Sequence, residues 1–312
     1  MIDALSKAIF HSLAGSDLLK RLASRYGMAG ERGFARRFIA GETVDEVIAA
    51  GRVVEARGLR LTLDYLGESV SSLAAAESAT REYLEILDAI VRSGIGRNIS
   101  LKLTQLGLTR DRAACLGNLR RILTPAARDG FFVRIDMEDS PHTDATLDIF
   151  ETLWREGFTH VGVVLQSALR RSEADLTRVM ALGARVRLVK GAYKEPADVA
   201  WQRKADVDAA FVRMMERLLA EGTFPALATH DERLIDAARR FAARHNLAQD
   251  AYEFQMLYGI RRDLQASLAA QGYGVRVYIP FGREWFPYFM RRLGERPANV
   301  AFVLRGIFGE RE

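Results

Sequence analysis

Apolar positions in this chain recur with two different periods, and the two periods take turns. Short apolar runs at Leu59–Leu66, Ile99–Leu106, Phe131–Met137, His160–Gln166, Arg185–Val189, Ala226–Thr229, Tyr252–Met256 and Val275–Ile279 read as strands. Helical spacing fills the intervals at Ala74–Val91, Arg110–Ala127, Asp144–Glu156, Glu173–Leu182, Val199–Ala220, Glu232–His245 and Arg261–Ala270, with Trp285–Leu293 last. Caps are expected at Thr109, at Thr143 before Asp144, and at Ser172 with Asp175 three residues on. Ahead of the repeat lie short helices at Ile2–Leu13, Ser16–Tyr26 and Glu31–Ile39. A capping box, Thr43-Val-Asp-Glu46, then opens a helix that ends at Gly58.

Strand–helix alternation implies a parallel sheet, and eight repeats close into an α/β (β/α)8 barrel. The competing architecture, an open doubly wound sheet, would carry G-x-G-x-x-G after a strand. Gly94/Gly96 and Gly272/Gly274 precede strands instead and lack the third glycine. The expectation is a distorted barrel over residues 59–312, an N-terminal helical segment over 1–58, and the last helix over the barrel mouth. The length of 312 residues suits one barrel of about 250 residues with an appendage.

Composition narrows the class. At 49% hydrophobic and 27% charged, the chain can bury a large core and is neither disordered nor a disulfide scaffold. Its apolar stretches, such as Val161–Leu169, fall far short of the roughly 18–20 residues of a membrane span, and Asp3 spoils a signal peptide. The lone cysteine, Cys115, fits a reducing, cytoplasmic setting. The net charge of +5 is spread through helices beside acids, without the basic tracts of a nucleic-acid binder. The five histidines lack metal-ligand spacing, so no metal is expected; His11, His142, His160 and His245 read as surface or packing residues. No P-loop or G-x-S-x-G elbow is present, and Cys115 in mid-helix is a poor nucleophile.

In such barrels the active site gathers at the C-terminal strand ends, and these ends are polar. They carry Asp64 and Glu68, Lys102, Asp136 and Glu138, Gln166, Arg187 and Lys190, Thr229 and His230, Glu253 and Gln255, and Tyr278. A charge inside a barrel costs several kcal/mol, on the order of 3–5 when its partner is missing, unless it is paired or used by a ligand. Only six of the 45 basic residues are lysines, so Lys102 and Lys190 inside strand motifs hint at a need for an ammonium. Lys102, Arg187, Lys190, Arg291 and Arg292 together suggest an anionic ligand: a carboxylate, a phosphate or a pyrophosphate. Three readings remain open from the residues alone: a Schiff-base lyase or aldolase using Lys102 or Lys190, a cofactor-dependent redox barrel, and a barrel reduced to binding.

Eight motifs, in order from about residue 60 to residue 300, resemble the proline dehydrogenase family. They are Leu63-Asp-Tyr-Leu-Gly-Glu68, Ser100-Leu-Lys-Leu-Thr104, Val133-Arg-Ile-Asp-Met-Glu138, Val164-Leu-Gln166, Arg187-Leu-Val-Lys-Gly-Ala-Tyr193, Ala228-Thr-His-Asp231, Tyr252-Glu-Phe-Gln-Met-Leu-Tyr-Gly259 and Tyr288-Phe-Met-Arg-Arg-Leu293. The Arg187–Tyr193 motif and the paired arginines are the most specific. The resemblance implies FAD-dependent oxidation of L-proline to Δ1-pyrroline-5-carboxylate by hydride transfer, with electrons passed to a membrane quinone. It also implies Asp136 and Arg187 as catalytic positions, with Arg187 against the flavin near N5. Met137, Gln166, Lys190, Gly191, Ala192, Thr229 and His230 would hold the cofactor. Lys102, Arg291 and Arg292 would bind the proline carboxylate, Tyr278 and Leu257 would pack on the ring, and Glu68 would pair with Arg291 as a gate. Tyr193 is a further candidate. Asp136 would fix its neighbouring cations, because a hydride can leave the carbon beside nitrogen once the amine is neutral. The chain is too short for an added aldehyde dehydrogenase module, so a separate pyrroline-5-carboxylate dehydrogenase is the expected partner. Any membrane contact would be peripheral.

Overall fold

A computed structural model describes Met28 and residues 33–295; the expected helices Ile2–Leu13 and Ser16–Tyr26 lie outside the described residues. The elements run in order from α1 (Val44–Glu55). They continue through β1 (Arg60–Tyr65), α2 (Leu73–Ser93), β2 (Asn98–Leu101), α3 (Arg112–Arg128), β3 (Phe132–Ile135), α4 (Thr143–Arg155) and β4 (Val161–Gln166). The second half comprises α5 (Ser172–Met180), β5 (Val186–Val189), α6 (Lys204–Glu221), β6 (Ala226–Ala228), α7 (Glu232–Arg244), β7 (Glu253–Leu257), α8 (Arg262–Ala270), β8 (Gly274–Phe281) and α9 (Trp285–Glu295). All eight strands are parallel and pair in sequence order, and β1 returns to β8 in the register Leu63↔Ile279 to close the barrel.

Alternation along each strand sorts the side chains. Leu61, Leu63, Ile99, Leu101, Val133, Ile135, Leu188 and Phe254 are buried together with apolar helix faces in one continuous core. The other face of the strands fills the barrel, and it is polar. Thr62 meets Ser100 at 3.3 Å, and Arg187 reaches both Ser100 on β2 and Gln255 on β7. Barrel interiors are usually filled by branched apolar layers, so this lining marks the interior as a place of chemistry.

Several boundaries differ from the sequence expectation for local reasons. The Ile99–Leu106 run leaves the sheet after Leu101, because Thr104 turns away to donate its backbone N–H (3.0 Å) and hydroxyl (2.5 Å) to Glu138. Helix α3 is capped by Asp111, which accepts from Ala113 and Ala114, and not by Thr109. Thr143 is the first residue of α4 and caps nothing; its hydroxyl is buried without a partner. Ser172 likewise begins α5, and its hydroxyl donates to the Gln166 carbonyl at 2.6 Å, tying down the end of β4. Residues 199–203 are not helical: Ala200 bridges to Leu169, and Arg170 lies over the Trp201 ring at 4.1 Å. In the Glu31–Ile39 stretch the described residues form a short 3-10 turn, Phe34–Arg37.

The capping box of Thr43 and Glu46 is present, and α1 packs across the seam between β1 and β8. A second apolar cluster joins Met28, Ala35, Phe38, Ile39 and Leu66 to Trp285, Phe286, Tyr288, Phe289, Met290 and Leu293 of α9. Trp285 Nε1 donates to Glu42 at 2.8 Å, and the Ala40 N–H donates to the Pro280 carbonyl at 2.9 Å. Gly259 in the β7–α8 turn (φ +74°) passes so close to Arg37 that a Cβ there would lie 1.7 Å from its carbonyl oxygen. The segment before the barrel therefore braces α9 from one side, while the other side of α9 faces the barrel mouth.

Candidate active site

The centre of the mouth is a chain of charges. Asp136, just past β3, accepts from Arg187 Nη1 at 2.6 Å and from the Tyr278 hydroxyl at 2.7 Å, with Lys102 Nζ at 3.8 Å. Arg187 is completed by Gln255 Oε1 (2.6 Å) and Ser100 Oγ (2.9 Å), and its guanidinium lies 5.2 Å over the Tyr278 ring. Four neighbours thus fix the plane of one cation. Lys102 donates to the fully buried Asp64 at 3.0 Å. Burial pushes the Lys102 ammonium toward deprotonation, but the Asp64 and Asp136 carboxylates outweigh it and hold its pKa above the ordinary lysine value. Burial pushes Asp64 up as well, against the pull of Lys102. Burial, with Asp136 alongside, drives the Tyr278 phenol far up, so it stays a neutral donor.

A second cationic group lies along the same wall. Lys190, after β5, pairs with Asp208 of α6 (2.6 Å) and Asp231 (3.1 Å). Lys204 pairs with both acids too, and Arg233 reaches Asp231 at 3.3 Å and Asp208 at 4.0 Å. Three cations share two carboxylates, which leaves an excess positive charge. Gly191 has φ +117°, and a Cβ there would come 2.9 Å from Gln166 Oε1, so the backbone passes this point unclothed. Gln166 itself is aimed by its amide, which donates to the Glu138 carbonyl at 2.7 Å. His230 Nε2 accepts the Leu257 N–H at 2.9 Å, which places a neutral ring's proton on Nδ1.

Over the opening, Arg291 on α9 pairs with Glu68 at 2.7 Å, and Arg292 lies 5.1 Å over the Tyr288 ring. One cavity of about 700 Å³ is lined by Lys102, Asp136, Met137, Gln166, Arg187, Lys190, Gly191, Ala192, Thr229, His230, Leu257, Tyr278, Arg291 and Arg292. Every position to which the family resemblance gives a role, except Glu68, is in that lining, and Glu68 is tied to it through Arg291. Tyr193 lines it too. The sequence marks Asp64 and Gln255 only as polar strand ends without a role, and it does not single out Ser100, Asp208, Lys204 or Arg233. Ser100 lies on the inward-facing alternation of its strand motif, a signal that could single it out, whereas Asp208, Lys204 and Arg233 look like an ordinary solvated helix face. Cys115 lies apart: its thiol donates to the Leu103 carbonyl at 3.5 Å, and burial pushes its pKa up to about 12. His160 contacts the Leu123 carbonyl at 3.1 Å, and His245 stacks on Phe241 at 4.1 Å. Among the described residues, no group of three or more His, Cys, Asp or Glu is arranged to hold a metal ion.

The family described as Proline dehydrogenase matches residues 47–305. Proline dehydrogenase of Deinococcus radiodurans is 43% identical over 311 residues, spanning 98% of this chain and 99% of that protein. Proline dehydrogenase 2 of Bacillus subtilis is 39% identical over 303 residues, spanning 97% of this chain and 99% of its own. Among solved structures, proline utilization A of Bdellovibrio bacteriovorus, inactivated by N-propargylglycine, superposes with a TM-score of 0.80 at 27% identity. That match covers 90% of this chain and 34% of the other.

Proposed function

The chain belongs to the proline dehydrogenase family, a family of proline oxidation and catabolism, and from that premise we propose that it converts L-proline to Δ1-pyrroline-5-carboxylate with FAD as the oxidant. The observation that carries the reading is the convergence of Lys102, Arg187, Arg291 and Arg292 on one cavity beside the Tyr278 ring and Leu257. A carboxylate on a small apolar ring suits that lining.

The residues also fit a flavin dinucleotide. The cavity volume of about 700 Å³ lies in the usual range of cofactor pockets, about 300–1,000 Å³. The Lys190, Lys204 and Arg233 group supplies excess positive charge for a pyrophosphate, and Gly191 lets the backbone approach closely. Met137, Gln166, Ala192, Thr229 and His230 complete the cradle. Bound there, the flavin supplies the two-electron acceptor. The protein's own groups do the rest. Lys102, Arg291 and Arg292 hold the carboxylate, and Tyr278 and Leu257 orient the ring so that C5 faces the acceptor. Arg187 would be among the groups that hold the flavin and would supply a fixed positive charge favouring its reduced form. Asp136 keeps Arg187, Lys102 and Tyr278 in register. The amine must be neutral for C5 to give up a hydride. Glu68 releases or holds Arg291 as the substrate enters.

A membrane quinone as final electron acceptor, met peripherally from the cytoplasmic side, belongs to the same proposal. No helix among the described residues is long and apolar enough to cross a membrane. Consumption of the product by a pyrroline-5-carboxylate dehydrogenase belongs to the proposal as well. The bifunctional protein PutA of Escherichia coli, 28% identical over 313 residues, is matched over 24% of its length. A Schiff-base lyase using Lys102 or Lys190 fits less well, because Lys102 is held charged by two carboxylates and Lys190 is paired with Asp208 and Asp231, where a nucleophilic amine must be neutral. The test is spectroscopic. The purified protein should be yellow, and its flavin absorbance should bleach when L-proline is added without oxygen. A colourless protein, or a yellow one that proline leaves unchanged, refutes the reading.

A further inference from the structure

The floor of the barrel holds a cation that no carboxylate claims. Arg134 lies on β3 two residues before Asp136, so its side chain enters the barrel one layer beneath, and the residue is 3% exposed. Its Nη1 donates to the carbonyls of Arg185 (2.6 Å) and Val163 (3.2 Å), and its guanidinium stacks on Phe132 at 4.8 Å. Its Nε is buried with no hydrogen-bond partner, and among the described residues no acid forms an ion pair with it. The acids nearby are engaged elsewhere. Glu253 takes Arg276 at 2.7 and 3.0 Å and Arg60 at 3.2 Å, while Asp136 takes Arg187, Lys102 and Tyr278. Burial and the like charges of Arg187 and Arg276 push the Arg134 pKa far below the ordinary arginine value.

The fold makes room for this charge. Gly162 on β4 stands opposite Arg134 in register, and a Cβ there would lie 2.6 Å from Nη1. A plug for the barrel floor needs no charge; a leucine or methionine would fill the space without desolvating a guanidinium. We propose that Arg134 is a positioning residue for the redox step, its uncompensated charge pressing Arg187 upward onto Asp136 and Gln255 and keeping the cavity floor positive, so that the electron-rich, reduced form of the cofactor is favoured. This inference rests on the reading of the cavity as a flavin site.

The test compares midpoint potentials of the flavinated protein and its variants by anaerobic titration. Arg134→Gln removes the charge but keeps an amide that can donate to the same carbonyls; Arg134→Lys keeps the charge. Arg134→Gln should lower the reduced-to-oxidised ratio at a given potential by about tenfold, a downward shift of about 30 mV for a two-electron couple. Arg134→Lys should stay with the parent, and Glu253→Gln, which removes an acid from the same floor, should shift upward. A folded Arg134→Gln variant with the parent's potential overturns the inference, as does Arg134→Lys moving with Arg134→Gln. Should Arg134→Gln fail to fold, Glu253→Gln decides alone: no upward shift overturns it. The underlying reading is checked separately in the parent, whose flavin must bleach with proline; the inference is checked only in the difference between parent and variant.

Discussion

Replacing Asp136 by Asn asks the sharpest question of this site. The change keeps the side chain's size and one acceptor but removes the charge that Arg187 meets at 2.6 Å and Lys102 at 3.8 Å. Each charge-assisted bond contributes on the order of 1.5–3 kcal/mol net. Removing one partner of a buried pair costs about 3–5 kcal/mol, because the other charge is left without compensation. Not all of that falls on the reaction, since Gln255 and Ser100 still grip Arg187 and Asp64 still grips Lys102. With about 2–3 kcal/mol lost at the transition state, anaerobic flavin reduction by proline should slow on the order of 100-fold. Stopped-flow bleaching at saturating proline measures this, with flavin content read from the same spectra. Its pH dependence separates two roles. A positioning Asp136 predicts the same deficit at about pH 7 and about pH 9, because it transfers no proton in the step. An Asp136 that takes the amine proton predicts a deficit that shrinks as pH rises, because the neutral fraction of proline grows. A deficit under about threefold, or one that shrinks with rising pH, refutes the positioning argument.

Three further outcomes are expected. Arg291→Met and Arg292→Met should each raise the KM for proline by about tenfold or more with flavin content unchanged, and L-tetrahydro-2-furoate should lose affinity in parallel; a variant that binds this carboxylate as tightly as the parent removes its arginine from the clamp. Borohydride reduction in the presence of substrate should leave Lys102 without an adduct by intact mass, since the flanking carboxylates keep it protonated. Burial pushes Glu46 up, but Arg36 and the Glu42 and Thr43 backbone bonds hold it down to about 2 from 4.5, so its contribution to stability is complete above about pH 4.5 and fades as pH falls toward about 2. Glu46→Gln should therefore flatten the fall in Tm between about pH 5 and about pH 3, and an unchanged slope counts against the assignment.

What could be read from the sequence follows from the physics that writes into it. The barrel was legible because eight apolar runs at strand spacing alternate with helical periodicity, and the polar ends of those runs already pointed to the mouth. The caps were less legible. Thr109, Thr143 and Ser172 have the right chemistry, but tertiary bonds decide which hydroxyl is used: Ser172 serves the Gln166 carbonyl, and Asp111 takes over at α3. The Ile99–Leu106 run misled for a similar reason, since Thr104 leaves the sheet for Glu138, a partner 34 residues away. Charge compensation was the hardest to read. Asp208 on α6 resembles any solvated acid until the fold brings Lys190 to it at 2.6 Å. Arg134 sits in a plain strand alternation that says only that it faces inward. Inward-facing charges are frequent in this barrel, and what distinguishes Arg134 is the missing acid, a property of four neighbouring strands together. A sequence names the charged groups at a site, but it cannot say which of them are left over once the pairs have formed. A charge left over in this way keeps free energy that a ligand or a neighbouring group can use.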